Sequence, residues 1–338
     1  MAGIFDADKS DVIRVTEVGE TIITAQSLDV PFTRLAPRGA APQQMLASYP
    51  AQVYDPQAFG GVADGADQTT FAHTNRLAIQ ATGMWLRTAG WLVSKIANLT
   101  RAAGVGVGKE VAKQRMDDGL KLGQMIERAL LSNMDCVIGA GQTPYQLRGL
   151  LQWLLATAQG VLPVNASLRP AAAANFSAAL STLTPTAFRA ILRAMYTQKM
   201  GPVDVTNFCG IALKSRMSMW AERDTDVASE TMIRGYNLDA SDRTFESIVD
   251  VFKFDEGMVR NVLSNYLACD PTTGLNTDES TRSGALVDLD MYELCWLQKP
   301  QDNELPDLGG GRRGMHDAVL MAKMLNPLGQ GRIFSAAD

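Results

Sequence analysis

The chain is predicted to belong to the α+β class, on three observations. A two-residue apolar alternation marks a strand over residues 76–85, and a long proline-free stretch marks a helix over Lys109–Asn133. Aromatic and β-branched residues then gather in 231–254. Helices and strands do not alternate strictly, and no internal repeat occurs, which disfavours a doubly wound parallel sheet.

The first 50 residues stand apart. Pro31, Pro37, Pro42 and Pro50 are four of the chain's 14 prolines. Each fixes φ and biases its predecessor to extended geometry, so this segment reads as an arm laid over something or as a tail. Charge is sparse from Ala51 to Gly108, and Gly60-Gly61 and Asp64-Gly65 mark a turn. Beyond that turn, Leu77, Ile79, Ala81, Gly83 and Trp85 alternate with Arg76, Ala78, Gln80, Thr82 and Met84. A partner strand is expected through Gln52-Val53-Tyr54. Together they form a long charge-poor hairpin with little to pack against in its own chain, or else an ordinary pair within a sheet.

In Lys109–Asn133, Ala112, Met116 and Leu120 form one row and Leu122, Ile126 and Leu130 a second. At 1.5 Å per residue this helix spans about 37 Å. Thr143-Pro144 and Thr184-Pro185 read as helix starts, since Thr caps free amides and Pro loses nothing at the first helical position. Helices are therefore expected over Gln146–Ala158, with the stripe Leu147, Leu150, Leu151, Leu154 and Leu155, and over Thr186–Lys199, stopped by Gly201-Pro202. Asp270 to Gly284 reads as a polar loop; Leu289–Leu297 and Ala318–Leu325 resume apolar patterns.

Composition narrows the function classes. With 338 residues, 46% of them apolar, the chain is long enough to bury a core without disulfides or metal. Thirty-one basic against 36 acidic residues give a net charge of −5, the wrong sign for tight sequence-independent binding of duplex DNA. Cys136, Cys209, Cys269 and Cys295 form no CxxC pair and read as buried thiols in a reducing compartment. The acidic start, Met1 to Asp8, is unlike a signal peptide, and the longest apolar stretch, Leu147–Val164, is broken by Arg148, Gln152 and Gln159. No membrane span is expected.

No catalytic, cofactor or metal constellation is found. Gly104-Val105-Gly106-Val107-Gly108-Lys109 fails the phosphate-loop pattern, with Ala103 for the first Gly and Glu110 for the hydroxyl residue, and fails GxGxxG at Lys109. It reads as a hinge into the long helix. His73 and His316 lack ligand spacing and read as surface or satisfied core residues; no GxSxG occurs. Asp270-Pro271-Thr272-Thr273-Gly274 lacks the oxygen ligands of a calcium loop. Asp288/Asp290 and Asp302/Glu304 read as solvated charges, and Gly309 to Gly314, with Arg312 and Arg313, as a solvated turn. Sixteen methionines suit adaptable packing surfaces.

The order of features resembles the HK97-like major capsid fold, and particular segments resemble the SU10-type major head proteins of tailed phages. These are Gly108 to Arg115 running into Gln124 to Asn133, and Arg148-Gly149-Leu150-Leu151-Gln152-Trp153-Leu154, similar to that family's Arg…Gly-Leu-x-x-Trp stretch. Leu183-Thr184-Pro185-Thr186-Ala187-Phe188, Asp288 to Leu294 and Gly329 to Ile333 are similar to its Leu-Thr-x-x-x-Phe helix start and closing strands. The resemblance spans roughly residues 50 to 335. The family's Lys-Thr-Gly-Asp pattern is missing near Gly309–His316, and Asp270–Gly284 looks like an insertion.

The resemblance implies an arm (1–50), an extended hairpin (51–104), a spine helix of a peripheral domain (105–140), a mainly axial domain (141–284) and closing strands (285–338). It implies self-assembly as hexamers and pentamers into an icosahedral shell enclosing double-stranded DNA, contacted weakly. It further implies a virion location, assembly in the host cytoplasm, no enzyme activity, and portal and decoration partners. No lysine lies between Lys9 and Lys95, so isopeptide stitching from the hairpin is not expected and the shell is expected to be non-covalent. Because Met1 directly precedes the arm, a scaffold is expected to be a separate protein. The rival readings are an encapsulin-like cellular shell and a nucleotide-binding enzyme using Gly104–Lys109.

Overall fold

A computed structural model of the chain describes residues 29–53, 64–65, 67, 76–99, 108–222, 250–270 and 273–335. Two hydrophobic cores organise it. The first forms where a long helix, Glu110–Leu130, crosses one sheet; the second lies between helices and one face of another sheet.

The first sheet begins with α1 (Pro31–Leu35) and β1 (Leu46–Gln52) leading to β2 (Arg76–Arg87), β3 (Trp91–Val93) and the short α2 (Lys95–Leu99). Helix α3 (Glu110–Leu130) follows and ends at Leu131. Pro31 occupies the first turn of α1, where its missing N–H costs nothing. Residues 31–50, read from the sequence as part of an arm, thus carry a helix with Phe32 buried, and then most of a strand.

The hairpin partner was expected through Gln52-Val53-Tyr54; the described pairing runs from Leu46↔Thr82 to Gln52↔Arg76, so it includes Gln52 and extends before it, while Tyr54 lies outside the described residues. Nor does the pair stand free. Ile79 and Ala81 are buried in the first core, Thr82 donates to the Gln146 carbonyl, and the second half of β2 pairs with a C-terminal strand. A charge-poor strand is as consistent with burial as with an unpartnered projection, and here the protein's own body covers the middle of β2, Ile79 to Gly83.

Helix α3 buries Val111, Leu122, Ile126 and Leu130, while Met116 and Leu120 of the predicted first row are exposed. The helix expected over Gln146–Ala158 is replaced by a single turn, α4 (Leu150–Trp153). Thr143-Pro144 does not start it, because Ala140↔Thr143 and Val137↔Gln146 bridge as a small hairpin. Leu147, Leu150, Leu151 and Leu154 are nevertheless all buried, so the apolar stripe marks the core correctly although the backbone is mostly not helical.

The second core contains β4 (Asn175–Phe176), α5 (Pro185–Lys199), β5 (Val203–Cys209), α6 (Ile211–Glu222), β6 (Val251–Phe254) and β7 (Gly257–Leu263). Thr184 caps α5 by accepting from the Ala187 amide, with Pro185 at the first position, as the sequence predicts. Of the strand-favouring region 231–254, only Val251–Phe254 forms a described strand; 231–249 lie outside the described residues. The polar stretch Asp270–Gly284 is not all loop, because α7 (Asp278–Arg282) forms inside it behind a Thr277/Ser280 capping box.

The closing strands are β8 (Gly284–Val287), β9 (Tyr292–Leu305), β10 (Arg312–Met324) and β11 (Gly331–Ile333). The first sheet runs β1-β2-β10-β3, with β9 on the other edge of β10; the second runs β4-β11-β8-β5-β7-β6. Strand β8 is buried along its whole length, because both faces of the second sheet are covered. Leu286 enters the second core, and Ala285 and Val287 enter the first. Likewise Val205 and Cys209 of β5 face α5 and α6, while Phe208 turns back to the first core. This sheet is the wall the two cores share.

Candidate assembly surfaces

Several of the residues weighed for chemistry make structural contacts among the described residues. His316, 15% exposed in its side chain, sits against Asp118 of α3 at 3.0 Å, and Asp118 also accepts from the Thr88 hydroxyl at 2.6 Å. It is a satisfied core residue; His73 lies outside the described residues. Asp302 and Glu304 are not free charges. Asp302 accepts from Arg115 Nε at 2.6 Å, while Arg115 stacks over Trp91, and Glu304 pairs with Arg312 at 2.8 Å. Asp288 caps a 3-10 turn through the Asp290 amide and pairs with Lys199 at 2.8 Å. Of the Gly104–Lys109 stretch, residues 104–107 lie outside the described residues, and Gly108, at φ +75°, leads directly into α3.

Among the described residues no group of three or more His, Cys, Asp or Glu is placed to hold a metal ion, and no helix is long and apolar enough to cross a membrane. All four cysteines are free and buried, and burial pushes each thiol upward, Cys209 to about 12.

The Arg…Gly-Leu-x-x-Trp stretch has a physical explanation. Arg148 is buried, pairs with Asp135 at 2.9 Å, donates to the carbonyls of Val161 and Leu162, and lies over the Trp153 ring at 4.7 Å. One guanidinium thereby ties two loop segments, at Asp135 and at Val161–Leu162, to the core, which its planar array of donors allows and a lysine's point charge does not. Although desolvation opposes it, the Val161 amide and Arg148 hold the Asp135 carboxyl below its usual range. Gly149 is required by close approach, because a Cβ there would fall 2.1 Å from the Ser132 carbonyl oxygen.

Sequence reasoning missed Glu127. It is fully buried on α3 and accepts from the amides of Phe32 at 2.8 Å and Thr33 at 2.7 Å, and from the Thr33 hydroxyl. A glutamate inside an otherwise apolar row (Leu122, Ile126, Leu130) is the signal that could have found it, since a buried carboxylate needs dedicated donors.

The surface offers a candidate interface rather than a pocket for chemistry. Register places Leu92, Arg313 and Leu305 side by side on the face of the first sheet turned away from Trp91 and α3. Leu92 is 51% exposed, Leu308 in the β9–β10 turn 78%, and Trp85 on β2 55%. With Gly90, Trp91 and Arg313 these leucines line an open groove of about 390 Å³. Of the stretch Gly309–Gly314, read from the sequence as a turn, Arg312 to Gly314 belong to β10, and the remaining turn that closes the groove is held by hydrogen bonds. Asp307 accepts from the Gly309 and Gly311 amides, and Gly311, at φ +126°, lies where a Cβ would fall 2.2 Å from the Val93 carbonyl oxygen. Leu35 and Met200 add further exposed apolar side chains, and a clustered apolar face is the usual mark of a protein contact.

Comparison with solved structures finds capsid subunits. The capsid protein of cyanophage P-SCSP1u aligns with a TM-score of 0.60 at 12% identity, over 96% of this chain and 93% of that one. The capsid of a native GTA particle aligns at 0.59 and 13%, over 100% of both chains. Mycobacterium phage Bobi aligns at 0.56 and 11%, over 98% of this chain and 100% of that one. At such identities the likeness establishes the HK97-like fold. Comparison with curated protein sequences finds no match. The family model described as SU10 major capsid protein matches residues 7–335, nearly the whole length. The chain belongs to the SU10 major capsid protein family.

Proposed function

We propose that the protein forms, through copies of itself arranged as hexamers and pentamers, an icosahedral non-covalent shell that encloses double-stranded DNA. The observation that carries this reading is the end-to-end correspondence with solved capsid subunits, which extends over at least 93% of this chain and of each of the three chains compared. The apolar face of Leu92 on β3, Leu305 on β9 and Leu308 in the turn between β9 and β10 supports it, because leucines exposed together are costly in water and an assembly would cover them. In this reading the protein acts by assembly and not by catalysis, and the net charge of −5 leaves packaged DNA loosely held. The arm 1–50, hairpin 51–104, spine helix 105–140, mainly axial region 141–284 and closing strands 285–338 are the units of this reading. A scaffold, a portal, decoration proteins and assembly in the host cytoplasm complete it.

Electron microscopy of the purified protein tests the proposal. Closed shells, tubes or rings of five or six are expected, running as single subunits in denaturing gels. Leu305→Asp with Leu308→Asp is expected to leave the far-UV circular dichroism unchanged while suppressing closed particles. A stable monomer at high concentration would refute the reading, as would shells that retain a cargo enzyme in place of DNA.

A further inference from the structure

Helix α3 meets the first sheet through two kinds of contact. Leu122, Ile126 and Leu130, in the C-terminal half of the helix, enter the first core, and Val111, near its start, packs with Trp91, Val93 and Ala97. Between these apolar contacts the joint is polar. Asp118 of α3 is buried, and its Oδ2 accepts from the Thr88 hydroxyl at 2.6 Å and from the His316 amide at 3.2 Å. The His316 ring of β10 brings Nδ1 to 3.0 Å from the same oxygen, and its Nε2 lies 3.9 Å from Oδ1 of Asp302 on β9. One imidazole thus stands between a carboxylate of the helix and a carboxylate of the sheet.

Charge balance makes this joint sensitive to a single proton. With a neutral ring, Asp118 is a buried anion whose donors are all neutral, and its Oδ1 is buried with no hydrogen-bond partner among the described residues. Such a charge is costly away from water unless a cation accompanies it. The neighbouring guanidiniums are engaged elsewhere: Arg115 of α3 pairs with Asp302 and Glu304, and Arg312 of β10 pairs with Glu304. Thr88 and the Trp91 indole, which donates to Asp302 at 3.4 Å, carry no charge. His316 is therefore the group placed to supply one. A second ring proton gives it a donor on each nitrogen, a countercharge for Asp118 and an attraction to Asp302. The side chains of His316 and Asp302 are only 15% and 24% exposed, so salt screens that attraction weakly.

We propose that His316 is a proton-operated brace, which fastens α3 to β9 and β10 as the pH falls below neutrality and releases them as it rises. Histidine is the side chain whose charge ordinarily changes between about pH 5 and 8, where free carboxylates stay ionised. The native state offers that proton two carboxylates, and the unfolded chain offers neither. Stability from this group is therefore present at the lower pH and lost as the pH rises. The inference rests on contacts within one chain and does not depend on the assembly reading.

Urea unfolding of the full-length, unassembled protein, followed by tryptophan fluorescence at about pH 8 and about pH 5.5, tests it. His316→Gln keeps a donor amide and removes the charge. From the higher to the lower pH, the folding equilibrium constant of wild type is expected to rise roughly tenfold relative to that of the variant. Glu127 and other groups that titrate in both proteins cancel in that ratio. Asp302→Asn removes one of the two carboxylates and is expected to give a ratio of roughly threefold, which carries the test if His316→Gln does not fold. A ratio that is the same at both pH values, or that falls at the lower one, would overturn the proposal with either variant.

Discussion

Replacing Arg148 by Met exchanges a buried cation for an apolar chain of similar length. The Asp135 carboxylate, 21% exposed, keeps the Cys136 and Val161 amides but loses its countercharge. The carbonyls of Val161 and Leu162 lose their donor, and the Trp153 face loses its stacked guanidinium. Breaking a buried pair costs about 3–5 kcal/mol. Asp135 remains partly solvated, so the lower half of that range applies, and the orphaned carbonyls add about 1 kcal/mol. The expected loss is about 4 kcal/mol. With a urea dependence of about 3 kcal/mol per molar, the unfolding midpoint of the unassembled subunit, followed by tryptophan fluorescence, falls by roughly 1.3 M. Arg148→Lys keeps the charge but reaches fewer partners, and about half that fall is expected. A Met variant within 1 kcal/mol of wild type would refute the argument that this guanidinium holds the 135–162 loop to the core.

Three further outcomes follow from buried groups. Tyr292→Phe removes a buried hydroxyl without a partner and is expected to leave stability unchanged or raise it by about 1 kcal/mol, read as a midpoint shift in urea. Burial raises the Glu127 carboxyl above the unfolded-chain value of about 4.3, so within that interval the native state holds the proton more tightly than the unfolded chain. Stability from this group is therefore full below the unfolded value and is lost as pH rises through the raised folded value. Glu127→Gln is expected to flatten that fall in a pH series of urea midpoints, and an unchanged slope would assign it to other groups. Ellman's reagent at pH 8 is expected to find no fast-reacting thiol in the native protein and all four in denaturant, since the cysteines are buried and their thiols raised.

Much of the fold was legible because local signals and global demands agreed. The row Leu122, Ile126 and Leu130 marked both helix and buried face, and Thr184-Pro185 marked a start that the structure keeps. The alternation over residues 76–85 marked β2, because a strand's two faces differ regardless of its neighbours. Legibility failed where a distant group overrode local preference. Gln146–Ala158 has a helical apolar stripe, yet Asp135 and the 161–162 carbonyls draw Arg148 inward, the bridges across Val137–Gln146 take the backbone, and only Leu150–Trp153 turns. The exposed apolar face was hidden for a related reason. Leu92, Leu305 and Leu308 lie far apart in the chain and become neighbours only through the register of β3, β10 and β9.

The amino-acid order alone determined the class, the long helix, the capped α5, the absence of a local catalytic motif and the family resemblance, since each depends on residues within a few turns or on motifs readable in line. Tertiary structure decided that Phe32 and Ala36 pack into the first core, that the hairpin base belongs to it, and that Glu127 and Arg148 are internal anchors. These depend on which buried charge meets which donor across tens of residues, a choice made by chain packing and not by any local propensity.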